Sequence, residues 1–301
     1  MYDVIIIGGG PAGITAAIYC ARANLNVALM DKGLIGGNPL NYLEIDNYPG
    51  LPGTTENLVD RFIEHINKYD NIDKFQFVEI DYVDVTNKLV KTVDNEFKAN
   101  KIIIATGTKP KMLNVEGEKE YLGKGVHYCA ICDGPLYEQK KVAVIGGGNS
   151  ACEEALGLSK ICDQVDIIEF TDKLNADKIT LDKIYNTQNI AVHLNCKVTK
   201  ITGNDKVERV WFKDQDSSYD CYLDIDGIFI YVGMIPNLPN FRVFNTPLSY
   251  SLSDYLITDE NMETTVEGVY AIGDIRNKKY RQVITSMSDG AIAAIHISKN
   301  I

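Results

Sequence analysis

Short β-branched runs, each closed by glycine, set the rhythm of this chain. Residues 2–7, Tyr-Asp-Val-Ile-Ile-Ile, are apolar almost without alternation, as a strand buried on both faces of a parallel sheet should be. An alanine-rich stretch over 14–23 predicts a helix, and a second strand over 26–30 ends at Asp31. Leu58, Phe62 and Ile66 mark the apolar face of an amphipathic helix over 56–68. Strands within 75–94 read as a meander, and 101–105 as another buried strand, closed by Thr106-Gly107. The opening pattern then returns: a strand over 141–145, a glycine cluster, a helix to about 160, and a strand over 165–168 ending at Glu169. Short alternating strands fill 190–232. The chain closes with a strand over 268–274 leading to Asp274 and an alanine-rich helix over 283–298.

The glycine clusters carry the first chemistry. Gly8-Gly9-Gly10-Pro11-Ala12-Gly13 stands between strand and helix, the context a dinucleotide fingerprint requires. Gly8 permits the tight turn, Gly10 lets the backbone approach a pyrophosphate, and Gly13 lets helix and strand pack closely. The helix N-terminus offers free N–H groups to the phosphates. Gly146-Gly147-Gly148-Asn149-Ser150-Ala151 repeats the motif, with alanine in the third glycine position, an accepted variant. Glu169 stands as far past Gly146 as Asp31 stands past Gly8, where a carboxylate would hold ribose hydroxyls. Two such sites imply two cofactors, or one cofactor and an empty structural repeat.

Composition narrows the partners. The chain has 301 residues, 45% hydrophobic and 24% charged, enough for two domains with separate cores. A formal charge of −11 and no visible basic patch argue against nucleic acid. No apolar run reaches membrane-spanning length, no charged leader precedes the first strand, and a cytoplasmic location is expected. Seven cysteines at irregular spacing fit reduced thiols better than a secreted disulfide framework. Cys20, Cys152, Cys162, Cys196 and Cys221 are expected to be structural.

Cys129-Ala130-Ile131-Cys132 is the one Cys-x-x-Cys. Its spacing brings two sulfurs within reach of a small-loop disulfide, easily opened. Asp133 follows directly, a proton donor or acceptor for thiol exchange. The alternatives are a zinc half-site or two ordinary thiols. Zinc needs further ligands; His193 and Cys196 have ligand-like spacing but read as part of a strand, and no metal is expected.

Taken together, Gly8 to Gly13, Ala105-Thr106-Gly107, the Cys129–Asp133 motif, Gly146 to Ala151, and Gly273-Asp274 with Arg281-Gln282 resemble the low-molecular-weight thioredoxin reductase family over essentially the whole chain. The resemblance implies an α/β fold of two doubly wound, Rossmann-like three-layer domains, the second inserted into the first. A discontinuous FAD-binding domain would span 1–112 and 240–301, and the inserted pyridine-nucleotide-type domain, 113–239, would carry the redox disulfide. FAD would be held by Gly8, Gly10, Pro11, Ala12, Gly13, Asp31, Lys32, Gly37, Asn47, Thr106, Gly107, Gly273, Asp274, Arg281 and Gln282. The second nucleotide would lie on Gly146, Gly148, Asn149, Ser150, Ala151 and Glu169. The resemblance further implies a homodimer that reduces thioredoxin or a thioredoxin-like protein. Cys132 would be the sulfur that meets the flavin, Cys129 the thiol that attacks the acceptor, and Asp133 the acid–base residue.

The chain departs from that family where NADPH would be recognised. NADPH-using members carry an arginine cluster after the second-motif strand; here the stretch is Glu169-Phe170-Thr171-Asp172-Lys173-Leu174-Asn175. Glu169 would repel a 2′-phosphate and accept from a free 2′-hydroxyl, so NADH is expected over NADPH. The stretch is more similar to the NADH-using alkyl hydroperoxide reductase flavoprotein. Some relatives without the arginines use ferredoxin or no pyridine nucleotide, which is the rival expectation. Asn38-Pro39 replaces the family's usual Gln-Leu. A non-catalytic FAD- or zinc-binding protein is the alternative from another class.

Overall fold

Successive residues of the first strand, Tyr2–Ile7 (β1), face different layers. Val4 and Ile6 pack among helix residues, while Ile5 and Ile7 pack under an antiparallel meander. This period of two, with both sides apolar, is what an unbroken apolar run in a parallel strand achieves. The computed structural model describes residues 1–41, 44–45, 47–51, 53–215, 219–242 and 247–301. The chain divides into two units: Met1–Leu40, Glu44–Lys109 and Ile235–Ile301 make up the first, and Pro110–Met234 nearly all of the second.

In the first unit the remaining parallel strands are Val27–Met30 (β2), Ile72–Phe75 (β3), the second half of Glu96–Ile104 (β4) and, late in the chain, Val269–Ala271. They lie in the order Val269–Ala271, β4, β1, β2, β3. Helices Pro11–Arg22 (α1) and Thr55–Ile66 (α2) and the final helix Val283–Lys299 cover one face. Ile80–Asp84, Leu89–Thr92 and the first half of β4 form an antiparallel layer over the other. The core residues of these faces are 0–9% exposed. Burying each large aliphatic side chain contributes about 1.5–3 kcal/mol before entropy is counted.

The second unit repeats the plan. Lys141–Ile145 (β5), Gln164–Ile168 (β6), Ile190–His193 (β7) and Gly227–Ile230 (β8) run parallel in the order β8, β5, β6, β7, with Val126–His127 beyond β8. The short Ala130–Asp133 helix (α3), Asn149–Ser159 (α4) and Lys178–Asn186 (α5) supply helical elements, with α4 and α5 packed on Val142, Val144 and Ile167. An antiparallel sheet of Cys196–Gly203, Val207–Asp214 and Asp220–Asp224 covers Ala143, Ile145 and Ile228 on the other face. The final helix, Val283–Lys299, is α6. The sequence repeat is therefore a repeat of whole three-layer units, with helices, parallel sheet and antiparallel sheet stacked in the same order.

The strand Ile72–Phe75 (β3) and the helix Lys178–Asn186 (α5) were not expected, and several expected elements differ at their ends. α1 begins at Pro11 and not at residue 14, because proline lacks the N–H that a first-turn residue leaves unbonded anyway. The strand expected to run to Asp274 stops at Ala271, and a tight turn over Gly273–Ile275 follows, with Gly273 at φ +73°. Among the described residues no helix is long and apolar enough to cross a membrane.

Candidate functional site

A glycine loop stands at the C-terminal end of β1 in the first unit and of β5 in the second, and the two loops are built alike. Gly8 (φ +110°) and Gly146 (φ +122°) each turn the chain where a Cβ would stand 2.3 Å from a backbone oxygen, that of Ala105 or of Tyr231. Only glycine fits there. Gly8 N–H donates to Met30 O at 2.7 Å and Gly146 N–H to Ile168 O at 2.9 Å, tying both turns to the next strand. Gly10 and Gly148 are the N-caps of α1 and α4, with near-identical extended backbones. Gly13 packs so closely that a Cβ would meet Gly8 O, whereas Ala151 fits in the second unit and is 1% exposed.

The acids that close the two motifs are used differently. Asp31 braces its own loop: Oδ2 accepts from Gly9 N–H at 2.7 Å and Oδ1 from Gly33 N–H at 2.8 Å. Lys32 beside it is exposed. Glu169 is one methylene longer. Its Oε1 accepts from the Thr171 amide at 2.9 Å and hydroxyl at 2.7 Å, and its Oε2 has no hydrogen-bond partner among the described residues. Asn149, the first residue of α4, exchanges hydrogen bonds with Asp177 at 3.1 and 2.7 Å, which anchors the α5 N-cap to the loop. Ser150 follows it in the first turn of α4.

Around the first loop the structure gathers residues far apart in sequence. Ala12 lies where a Cβ on Gly273 would meet it at 2.9 Å, and Gly37 sits against Gly10. Asn47 donates to Gln282 Oε1 at 2.9 Å, and Gln282 caps α6 in a capping box with Thr285. Asn38, at the unusual Asn-Pro, reaches Thr108 at 3.3–3.4 Å. Gly107 (φ +60°) opens onto free space. Two polar atoms are buried without a partner among the described residues, Thr106 Oγ1 and Arg281 Nε, the latter on a guanidinium stacked 4.0 Å from the Tyr255 ring. Buried unpaired polar atoms cost about 1–3 kcal/mol each unless a ligand meets them. Together with the tight glycine turn, these orphans fit a polar cofactor such as FAD.

A buried charge network that the sequence pattern did not reveal lies behind Asp274. Asp274 Oδ1 accepts from Ser286 at 2.8 Å and pairs with Lys278 at 3.5 Å. Asp289, 8% exposed, takes Lys278 at 3.1 Å, Arg276 at 3.0 Å and the Gly273 amide at 3.0 Å. Asp274 therefore stands held in place and not free to swing. The network joins the 273–278 segment to α6, and only the fold brings the two together.

In the second unit Cys129 and Cys132 form a disulfide with Cα atoms 5.4 Å apart. It closes the single turn of α3, whose Ala130 N–H donates to the Tyr231 hydroxyl at 2.8 Å. Cys132 is exposed and Cys129 half-buried. The Asp133 carboxylate, 36% exposed, meets the Nδ1 of His127 at 3.0 Å, and His127 Nε2 meets the Tyr137 hydroxyl at 2.7 Å. Reading the sequence missed His127 and Tyr137; the only hint was a histidine two residues before Cys129. The other thiols differ from this pair. Burial pushes Cys20 up to about 12 and Cys152 and Cys162 up to about 11, which keeps them protonated and inert. His193 is taken by Asp166 at 2.7 Å, and Cys196 donates to Leu194 O at 3.1 Å. No group of three or more potential metal ligands occurs among the described residues.

Comparison with known proteins agrees with this geometry. A family model described as pyridine nucleotide-disulphide oxidoreductase matches residues 2–290. Thioredoxin reductase of Bacillus subtilis (strain 168) is 38% identical over 303 residues, covering 98% of this chain and 93% of the relative. The solved structure of T. acidophilum thioredoxin reductase superposes with a TM-score of 0.93 at 34% identity, covering 99% of this chain and 98% of that one. A ferredoxin-flavin thioredoxin reductase from Clostridium acetobutylicum gives a TM-score of 0.51 at 26% identity, with 99% and 97% covered.

Proposed function

Since the chain belongs to the pyridine nucleotide-disulphide oxidoreductase family, in its low-molecular-weight thioredoxin reductase branch, we propose that it takes electrons from NADH and passes them through FAD and the Cys129–Cys132 disulfide to thioredoxin or a thioredoxin-like protein. The observation that carries the reading is the disulfide itself, in the one motif where an acid directly follows an exposed cysteine. FAD, when bound, supplies the chemistry that turns a hydride or single electrons into reduction of a disulfide. Gly8 to Gly13 and the α1 N-terminus would take its pyrophosphate, Asp31 its ribose, and Asp274, Thr106 and Arg281 its remaining polar groups, with Gln282 at the α6 N-terminus nearby. Lys32, Gly37, Asn47, Gly107 and Gly273 belong to the same proposed cradle.

The protein's own residues then do the exchange. With the pair reduced, the Cys129 thiol gives its proton to the Asp133 carboxylate. The Cys129 thiolate attacks one sulfur of the acceptor disulfide; that S–S bond breaks as the mixed disulfide forms, and the departing thiolate takes the proton from Asp133. Cys132 then loses its proton to Asp133 and attacks Cys129. The intramolecular disulfide reforms, and the second acceptor thiolate leaves with that proton. Two electrons and two protons pass to the acceptor, and Asp133 ends as it began.

The donor assignment rests on the second loop. Glu169 Oε2 is unpaired among the described residues and can accept from a ribose 2′-hydroxyl, with Gly146, Gly148, Asn149, Ser150 and Ala151 holding the phosphates. A ferredoxin-dependent reductase is the second reading, favoured by the acidic Glu169–Asp172 stretch and by the likeness to the Clostridium acetobutylicum enzyme. We also propose a homodimer, supported by the exposed Ile284, Ile292 and Ile295 on one side of α6. A cytoplasmic location is supported by five free cysteines, four of them buried. Anaerobic mixing of the purified protein with NADH, NADPH and reduced ferredoxin, each followed by flavin bleaching, tests the reading. NADH should bleach fastest, and oxidised thioredoxin should restore the colour. No bleaching by any donor would defeat it.

A further inference from the structure

His127 has the surroundings of a fixed part. It is 5% exposed, and its ring stacks on Phe229 at 5.3 Å with the Tyr137 ring edge-on at 5.4 Å. Both ring nitrogens are engaged, Nδ1 by Asp133 at 3.0 Å and Nε2 by the Tyr137 hydroxyl at 2.7 Å. A packing role alone would explain the burial. It would not explain why both polar ends of the ring are used, nor why one of them ends on the half-exposed acid that adjoins the disulfide.

We propose that His127 is the positioning residue for Asp133: through Nδ1 it holds the Asp133 carboxylate in place for thiol–disulfide exchange, and Tyr137 fixes the imidazole tautomer that does so. The inference rests on the proposed acid–base role of Asp133. An ionised carboxylate only accepts, so Nδ1 must carry the proton. Nε2 of the neutral ring then has a lone pair, and the Tyr137 hydroxyl donates to it. That hydroxyl is well suited to the task, because burial, with the charges of Asp133 and Asp226, pushes it up to about 12 and keeps its proton on. The chain of donors runs one way, from Tyr137 to His127 to Asp133. It fixes Asp133 Oδ2, while Oδ1 has no hydrogen-bond donor among the described residues and is left to trade a proton with a sulfur. Oriented in this way, the carboxyl group meets the departing thiolate without first searching its rotamers.

The role predicts a dependence on leaving group that packing does not. An alkyl thiolate departs well only when it is protonated, whereas an aromatic thiolate of low pKa leaves unaided. The test uses the FAD-loaded protein, reduced with dithionite and reoxidised anaerobically by either hydroxyethyl disulfide or dithiobisnitrobenzoate, with the rate read from the flavin and thiol absorbance. His127→Ala should slow reoxidation by hydroxyethyl disulfide roughly tenfold, a part of what a positioned acid contributes, and leave dithiobisnitrobenzoate within about twofold. His127→Asn, whose amide can donate from nearly the same place as Nδ1, should restore most of the alkyl rate. Tyr137→Phe, which frees the tautomer and keeps the packing, should fall between Ala and wild type on the alkyl disulfide alone. Equal slowing with both disulfides, Asn behaving as Ala, or no effect in any of the three variants would overturn the proposal. Wild-type protein that neither disulfide reoxidises would instead sink the disulfide-reductase reading, so the two failures are distinct.

Discussion

Glu169 Oε1 holds both the amide and the hydroxyl of Thr171, at 2.9 and 2.7 Å, while Oε2 stands against the second glycine loop, where a Cβ on Gly147 would meet it at 2.8 Å; the proposed nucleotide site puts the 2′ substituent beside this carboxylate. A 2′-phosphate there would meet Glu169 and Asp172 with Lys173 as the nearest cation in sequence. Loss of two or three charge-assisted contacts, at roughly 1.5–3 kcal/mol each, amounts to at least about two decades in affinity. Stopped-flow flavin reduction should therefore give a kcat/KM for NADH far above that for NADPH. Glu169→Ala should weaken NADH use, and Phe170→Arg with Thr171→Arg should improve NADPH use. NADPH outperforming NADH in the wild type would end the charge argument.

Cys129 and Cys132 should separate in a trapping experiment. With Cys132→Ser the mixed disulfide between Cys129 and thioredoxin cannot be resolved and should accumulate, visible as an added mass in non-reducing mass spectrometry. Cys129→Ser should trap little. The opposite result would exchange the two assignments.

Asp133→Asn keeps shape but cannot take up and release a proton. Turnover with thioredoxin should fall by about 10²-fold, the scale of a positioned acid–base group, while the visible spectrum reports unchanged FAD content. Full turnover across the pH range would remove Asp133 from the mechanism.

Thr106 Oγ1 is a buried hydroxyl with no partner among the described residues. Thr106→Val should raise the melting temperature of the apoprotein by a few degrees, since about 1 kcal/mol of desolvation is relieved. It should also weaken FAD binding by calorimetry. If FAD affinity were unchanged, that hydroxyl would have no part in the cradle.

Glu154, 4% exposed in α4, has its carboxyl pushed up to about 7, chiefly by burial and then by Glu153. A raised acid is protonated in the folded chain while already ionised in the unfolded one. Its contribution is therefore complete below about pH 4.5 and lost as pH rises through about 7. Glu154→Gln should match wild type near pH 5 and exceed it near pH 8 by about 1–3 kcal/mol in urea unfolding. A gap that does not widen with pH would contradict the assignment.

The parallel strands that lead into the glycine loops were legible in the sequence because their signals are local: an apolar run, then glycine, then alanine. β3 was not, because Asp73 and Lys74 interrupt its apolar residues. The antiparallel strands were legible as alternation, but nothing in the alternation said that they roof the second face of each parallel sheet. α5 escaped notice because its apolar residues do not share a face. Ile184 is buried while Ile179 and Tyr185 are exposed, which blurs the helical period. The Arg276–Lys278–Asp289 network and the His127–Tyr137 pair were hidden for a different reason: their partners meet only after the chain has folded back. The sequence supplied residue types there, and folding supplied the adjacency.

The buried thiols have a practical corollary. Cys20, Cys152, Cys162 and Cys196 lie inside, and Cys221 is half-buried. An alkylating reagent applied to the native oxidised protein has only Cys221 within reach, and reduction adds Cys129 and Cys132 and nothing else. Mass-tagging the chain in a lysate quenched with such a reagent would thus report, molecule by molecule, whether the enzyme was charged or spent at that moment.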